Sequence, residues 1–225
     1  MLDVGRLSHG ARAILGRDLT ASEVGAFQAY FSMLRRWQAV QRLVGSTEPR
    51  WVVDHVLLDS LLFSSFLPSP DCQALDFGSG AGIPGVPLGI THPELRLTLL
   101  EPRRRRASFL SEVLRTLGLR NVQVVPERSE VALAERPELR GGFDAVLARC
   151  AGPGVTHVAR ARPFLRSRGR IVISGPPQPI ETDEGAWRER KHPTLARTRR
   201  FLVVIEPTLG VPRETSGPDC HKCST

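Results

Sequence analysis

No stretch of this 225-residue chain approaches the roughly 18–20 uninterrupted apolar residues that a membrane-spanning helix needs, although 41% of its residues are hydrophobic. A helical membrane protein is therefore excluded. The amino-terminal run MLDVGRLSHGARAILGRD lacks an apolar block followed by a small-residue cleavage site, so the expectation is a cytoplasmic protein. Cysteine is scarce too: Cys72, Cys150, Cys220 and Cys223 are too few and too unevenly placed for a disulfide framework, which agrees with a reducing compartment. Cys220-His221-Lys222-Cys223 has the spacing of half a zinc site, but four ligands are needed and no second pair lies nearby, so no metal is expected. Cys72 and Cys150 read as small buried core residues. There is no internal repeat and no exposed apolar heptad, which leaves a monomer as the default.

Basic residues, by contrast, are plentiful. Lys and Arg number 31 against 23 Asp and Glu, a net charge of +8. Such a surplus favours a polyanionic partner, because each cation that meets a phosphate releases a condensed counterion. An arginine-rich background composition produces the same surplus, so charge alone does not establish RNA binding. The candidate contacts fall in three clusters: Arg103 to Arg106; Arg160, Arg162, Arg166, Arg168 and Arg170; and Arg188, Arg190, Lys191, Arg197, Arg199 and Arg200. Each cluster taken singly also reads as a solvated face.

The length suits one domain with a short appendage. Residues 1–70 read as a helical extension. Thr20-Ala21-Ser22-Glu23 is a capping box, and Val24, Phe27, Phe31, Leu34, Trp37, Val40 and Val44 follow at spacings of three and four, which predicts one amphipathic helix of about six turns. A second apolar segment carries Val52, Val56, Leu58, Leu61, Leu62 and Phe66 and stops at Pro68-Ser69-Pro70. From 71 to 206 short apolar runs alternate with helical ones, as in a mostly parallel sheet covered on both faces. Strands are predicted at Gln73–Phe77, Arg96–Glu101, Val122–Val125, Asp144–Ala148, Arg170–Ser174 and Phe201–Ile205, with a helix from Arg103 to Leu117 that Gly118 stops. The segment 207–225, rich in proline, threonine, serine and glycine, is expected to be poorly ordered.

Leu75-Asp76-Phe77-Gly78-Ser79-Gly80-Ala81-Gly82-Ile83-Pro84-Gly85 is the most informative stretch, a strand running through a glycine-rich turn into a helix. Glycine is needed where the backbone turns sharply and where a ligand approaches without a Cβ in the way. An ordinary strand-to-helix connection needs one glycine, and here there are four in eight residues. Gly80 to Gly85 also satisfies the dinucleotide pattern G-x-G-x-x-G, so a nicotinamide cofactor stays open. Two features favour S-adenosylmethionine: the run starts at Gly78 just after the acid Asp76, giving D-x-G-x-G-x-G, and no separate substrate domain follows. Glu101, 23 residues after Gly78, ends the second strand, where an acid accepts hydrogen bonds from ribose hydroxyls in either cofactor class or else caps the next helix.

With these residues in view, the chain resembles the small-subunit ribosomal RNA methyltransferase G family, also called glucose-inhibited division protein B. The likeness runs from Thr20 to Ile205: a tryptophan-bearing helix, His55 with Asp59-Ser60-Leu61, the glycine turn through Val86-Pro87-Leu88, Leu99-Leu100-Glu101 with Arg105-Arg106 and Phe109-Leu110, Arg128-Ser129-Glu130, and Phe143-Asp144 with Ala148-Arg149. The resemblance implies an α/β, Rossmann-like class I S-adenosylmethionine-dependent methyltransferase that methylates guanine N7 in 16S rRNA, with 16S rRNA or the small ribosomal subunit as partner. It places Gly78, Gly80, Gly82, Ile83, Glu101, Ser129, Glu130 and Arg149 at the cofactor, Ser129 and Glu130 near the adenine and Arg149 near the methyl-transfer site. The sequence departs from the family at Gln38, Arg42 and Val44, where Asn, Asn and Thr are common, and at Ser174, where a lysine usually precedes the glycine.

The implied chemistry needs no general base. Guanine N7 carries an in-plane lone pair and no proton, so holding N7, methyl carbon and sulfur in line is the main catalytic task. Arg149 would orient the base or the cofactor, or simply anchor the strand end; Glu130 would position the adenine or cap its helix. His55 and Asp59, four apart, share a helix face and read more as packing than as catalysis. Two other classes remain open at this stage: a nicotinamide-dependent oxidoreductase, and a non-catalytic RNA-binding or ribosome-assembly protein that kept the fold while losing turnover at Gln38, Arg42, Val44 and Ser174.

Overall fold

The computed structural model describes residues 1–149, 154–174 and 185–205. Cys150, Gly175, the 207–225 segment and its Cys220–Cys223 pair therefore lie outside the described residues. Seven strands form one sheet in the order β3-β2-β1-β4-β5-β7-β6. They are β1 (Gln73–Phe77), β2 (Arg96–Leu100), β3 (Val122–Val125), β4 (Phe143–Arg149), β5 (Leu165–Ser174), β6 (Ala186–Lys191) and β7 (Thr198–Ile205). The first five are parallel, while β7 runs antiparallel between β5 and β6. Strand order reverses between β1 and β4, and a crevice at such a switch point is where open α/β sheets bind ligands.

Among the described residues eight α-helical pieces accompany the sheet: α1 (Val4–Leu15), α2 (Ala21–Gln38), α3 (Pro49–Val52), α4 (Asp59–Leu61), α5 (Gly85–Thr91), α6 (Arg104–Leu117), α7 (Ser129–Glu135) and α8 (Gly154–Ala161). The central strands have the near-continuous apolar character of strands covered on both faces: Leu75, Leu97, Leu99, Ala145, Val146 and Leu147 are all buried. On one face the core joins the sheet to α1, α2 and the 49–66 segment through Leu7, Phe27, Tyr30, Leu34, Leu57 and Phe63; on the other it gathers Phe77, Val146, Phe164 and Ile171. Among the described residues no helix is long and apolar enough to cross a membrane. Cys72 is a free, buried thiol, as expected.

Several elements differ from the sequence expectation. The capping box at Thr20 forms, with Glu23 N donating to Thr20 Oγ1 at 3.2 Å and Thr20 N to Glu23 Oε2 at 2.7 Å. The helix it starts, however, ends at Gln38 and not at Val44. Gln38 Oε1 accepts from Leu43 N (2.8 Å) and Val44 N (3.1 Å), and its Nε2 donates to Val44 O (2.9 Å), so the amide folds the chain back into a loop. Val40 is consequently exposed and Val44 buried in that loop. The second apolar segment is continuous helix from Pro49 to Phe66, but it passes through a π-helical stretch at Val53–Leu58 and closes as a 3₁₀ turn at Leu62–Phe66. Helix α1 and strand β6 had no specific forecast. Strand β6 reads Ala-Trp-Arg-Glu-Arg-Lys, a charged sheet edge without the apolar run that announces a buried strand.

Candidate active site

The chain leaves β1 and turns through Gly78, Gly80 and Gly82, all with positive φ (75°, 58° and 86°). A side chain in that conformation costs about 1–2 kcal/mol, which explains glycine at alternate positions. Gly82 is also crowded: a Cβ there would lie 2.5 Å from Val86 Cγ2 and 3.0 Å from Leu110 Cδ2. At Gly78 the opposite holds, with nothing within 4 Å of the absent Cβ. The first glycine opens space and the third closes packing.

Two buried acids brace this turn. Asp76 Oδ2 accepts from Gly85 N at 2.9 Å. Glu101 Oε2 accepts from Gly80 N and Oε1 from Arg103 N, each at 2.8 Å. Glu101 thus spends one contact per oxygen on the backbone, and a carboxylate, with about four acceptor sites, keeps capacity for two further donors. Asp76 is fully buried, and burial, reinforced by Glu101, pushes its carboxyl up to about 7. Its Oδ1 has no hydrogen-bond partner among the described residues.

Arg149 ends β4 on the other side of the switch point. Its Nη2 donates to His55 O and lies 3.6 Å from Asp59 Oδ2, while Nη1 is buried and has no partner among the described residues. Burial lowers the guanidinium to about 10, so it stays a cation at neutral pH. Asp59 is a buried hub. Arg199 Nε donates to its Oδ1 at 2.6 Å, His192 Nε2 lies 3.3 Å away and Arg197 3.9 Å. His55, shifted down by burial and by Arg197, Arg199 and Arg149, accepts from Arg197 Nη2 at Nδ1, 2.8 Å away. The packing reading of His55 and Asp59 describes Asp59 well, since its carboxylate ties the helix to β7.

A cavity of about 400 Å³ opens between these parts. Gly78, Ser79, Gly80, Ala81 and Ile83 form one wall, Leu43, Val44, Gly45, Trp51 and Val56 the other, with Arg106 and Arg149 bridging them. Gly78, Gly80, Ile83 and Arg149 of the sequence-predicted site are therefore together. Gly82 and Glu101 are not among the residues lining this cavity, although Glu101 holds the turn at Gly80 N. Ser129 and Glu130 begin α7 beyond β3, where Arg160 Nη2 donates to Ser129 Oγ (3.1 Å) and Glu130 Oε1 (2.9 Å), and they do not line this cavity. The sequence reading gave no role to Leu43, Gly45 or Trp51. The spacing of four through Trp51, His55 and Asp59 was a usable signal for the last of these.

The basic clusters separate. Arg106 lines the cavity and its Nη2 donates to Arg42 O (3.3 Å), and Arg197 and Arg199 gather at Asp59 beside Arg149. Arg166 and Arg168 sit at the opposite edge of the sheet, where Arg166 Nη1 donates to Asp144 Oδ1 at 2.9 Å. That part of the candidate RNA-contact set is not on the site's side. Among the described residues no cluster of His, Cys, Asp and Glu could hold a metal ion.

The family model for GidB, rRNA small subunit methyltransferase G, matches residues 23–187, a span that contains both cavity walls and Arg149. The chain belongs to this family. The rRNA small subunit methyltransferase G of Roseiflexus castenholzii is 34% identical over 192 residues, covering 85% of this chain and 80% of that protein. That of Sorangium cellulosum is 35% identical over 201 residues, covering 87% and 81%. Among solved structures, a SAM dependent methyltransferase from Aquifex aeolicus matches with a TM-score of 0.51 at 12% identity, over 78% of this chain and 97% of that one, a likeness of fold alone. The Rossmann-like methyltransferase fold is thereby established, and the nicotinamide oxidoreductase reading falls. For a member of the rRNA small subunit methyltransferase G family, the unusual Gln38 and Val44 now have places: Gln38 shapes the 39–44 loop and Val44 lines the cavity. Ser174 pairs in register with Arg149 at the end of β5.

Proposed function

We propose that the chain transfers a methyl group from S-adenosylmethionine to N7 of a guanine in small-subunit rRNA. The observation that carries this reading is the pairing, in one cavity, of a ligand-accepting glycine turn with a buried arginine that has a donor to spare. The residues fit the cofactor: open space stands at the missing Gly78 side chain, Asp76 Oδ1 and Arg149 Nη1 are buried and have no partner among the described residues, and the volume falls in the range of roughly 300–1,000 Å³ typical of small-molecule sites. Gly78, Gly80, Gly82, Ile83 and Glu101 would hold it, with Glu101 accepting from the ribose hydroxyls and the adenine reaching beyond this cavity toward Ser129 and Glu130. When bound, S-adenosylmethionine supplies an activated methyl group on a sulfonium centre.

Arg149 is assigned to the base. Guanine presents two acceptors side by side, N7 and O6, whereas adenine presents an acceptor and an amino donor. A guanidinium donor on O6 holds the ring while leaving the N7 lone pair free, and it finds no acceptor at that position on adenine. N7 bears no proton, so the chain needs no base there, and its work is orientation and exclusion of water. The basic side chains on the site's side, Arg106 and Arg197 among them, would meet RNA phosphates, which position a substrate without reading its sequence.

We read residues 1–70 as a helical extension that supplies one cavity wall and 71–206 as the methyltransferase unit. The protein would act in the cytoplasm as a monomer on 16S rRNA or the small subunit. The test is methyl-labelled S-adenosylmethionine with small subunits lacking the modification, followed by nucleoside digestion and mass spectrometry. The expected product is labelled 7-methylguanosine, with turnover reduced about 10²–10³-fold in Arg149→Ala, the usual cost of removing one oriented donor. Cofactor binding with no methylated nucleoside would instead favour the non-catalytic assembly protein.

A further inference from the structure

The wall facing the glycine turn carries an aromatic ring that nothing so far employs. Trp51 is half-buried at the start of the 49–66 helix, where Glu48 Oε2 accepts from Trp51 N at 2.6 Å and fixes the first turn. Its indole lies 4.9 Å from the His55 imidazole, centroid to centroid, with the rings inclined by 31°. The other end of the indole rests on Gly45: a Cβ there would come within 3.3 Å of Trp51 Cζ2 and press the ring by a few tenths of an ångström. The ring is therefore held from two directions. It is also the only aromatic among the described residues lining the cavity, whose other walls are aliphatic side chains, glycine backbone, Ser79 and two arginines.

Enzymes that do chemistry on a base take it out of its own stack to bring the target atom into the active site, which leaves its faces to be covered. Single-stranded and extruded RNA bases are commonly received on aromatic side chains. We propose that Trp51 is the stacking platform for the target guanine, a positioning and affinity-determining residue on the substrate side of the cavity. The inference rests on the methyltransferase reading above and adds to it the contact that holds the base plane. Arg149, bridging the two walls, would then meet the edge of a ring lying against the indole. His55 backs the indole as a neutral ring, since burial and three neighbouring arginines keep its pKa below the usual value.

Three forms of the full chain test this: wild type, Trp51→Phe and Trp51→Ala. Turnover is measured on small subunits lacking the modification, cofactor affinity and Tm are measured alongside, and tryptophan emission is titrated with guanosine monophosphate in the presence of S-adenosylhomocysteine. Trp51→Ala is expected to lose on the order of 10–100-fold in kcat/KM, the range found for removing one stacked base contact, with Trp51→Phe restored to within a few-fold. Cofactor affinity should stay near wild type in both variants and Tm in Trp51→Phe, whereas Trp51→Ala loses some Tm because its ring packs on His55, Gly45 and the core. Quenching by guanosine monophosphate should vanish in Trp51→Phe. The proposal is overturned by wild-type kinetics in Trp51→Ala, by a loss of cofactor affinity that tracks the loss of turnover, or by quenching that persists in Trp51→Phe. Absence of 7-methylguanosine from the wild-type reaction sinks the methyltransferase reading instead, and the quenching titration still decides the stacking role.

Discussion

The two walls of the cavity are made in different ways. The Gly78–Ile83 wall is backbone, fixed by positive φ angles and by two buried acids that grip amide groups. The 43–56 wall is side chain, fixed by one glutamine amide, a π-helical stretch and a tryptophan against a histidine. A backbone wall tolerates almost no substitution and suits a cofactor that never changes. A side-chain wall can be retuned residue by residue and suits a target that must be recognised.

Gly82→Ala should break that contrast most severely. The positive φ costs about 1–2 kcal/mol and the clash with Val86 and Leu110 roughly 1–3 more. Denaturant unfolding should show a loss of about 2–5 kcal/mol, and calorimetry with S-adenosylmethionine a loss of binding. Wild-type cofactor affinity in that variant would refute the division of labour.

Gln38→Ala probes the other wall. It removes the three hydrogen bonds that fold the 39–44 loop, for a stability loss of about 1–3 kcal/mol. Turnover on RNA should fall more than cofactor affinity does. Equal losses in both would mean that the walls are not independent.

Asp76→Asn gives a change that depends on pH and sharpens the account of the backbone wall. The folded-state pKa of Asp76 is raised to about 7, above an unfolded value near 3.9, so the protonated carboxyl favours folding and the ionised form opposes it. That contribution is full below the unfolded pKa and is lost as pH rises through about 7. An amide keeps the acceptor for Gly85 N and never ionises. The variant should therefore gain stability relative to wild type, up to about 3 kcal/mol, between pH 5 and pH 8 in paired thermal melts. A constant difference across that range would show that Asp76 is already ionised at pH 5.

The same contrast decides what was legible in the sequence. Gly78, Gly80 and Gly82 announce themselves because a backbone requirement admits only one residue type, and the central strands because burial on both faces leaves uninterrupted apolar runs. The side-chain wall follows no such rule. Val40 and Val44 continue the helical spacing of α2, and only the chance geometry of the Gln38 amide ends the helix before them. Trp51 drew no reading, since nothing in the spacing tells a ring facing a cavity from one facing a core. Strand β6 was invisible because an edge strand of charged residues resembles a loop, and the burial of Asp59 among arginines depends on contacts with residues 192–199, far away in the chain.

Those long-range contacts also set an order of events during synthesis. Arg6 reaches Asp54 and Thr194 O; Asp54 accepts from Thr194 Oγ1 and, at its carbonyl, faces His192; Asp59 takes Arg199. Asp59 thus meets its main ion-pair partner, Arg199, only 140 positions later in the chain. While the glycine turn needs only strands already made, the opposite wall is locked when the β6–β7 hairpin emerges and docks. Until that hairpin is made, a growing chain would hold a half-built cleft.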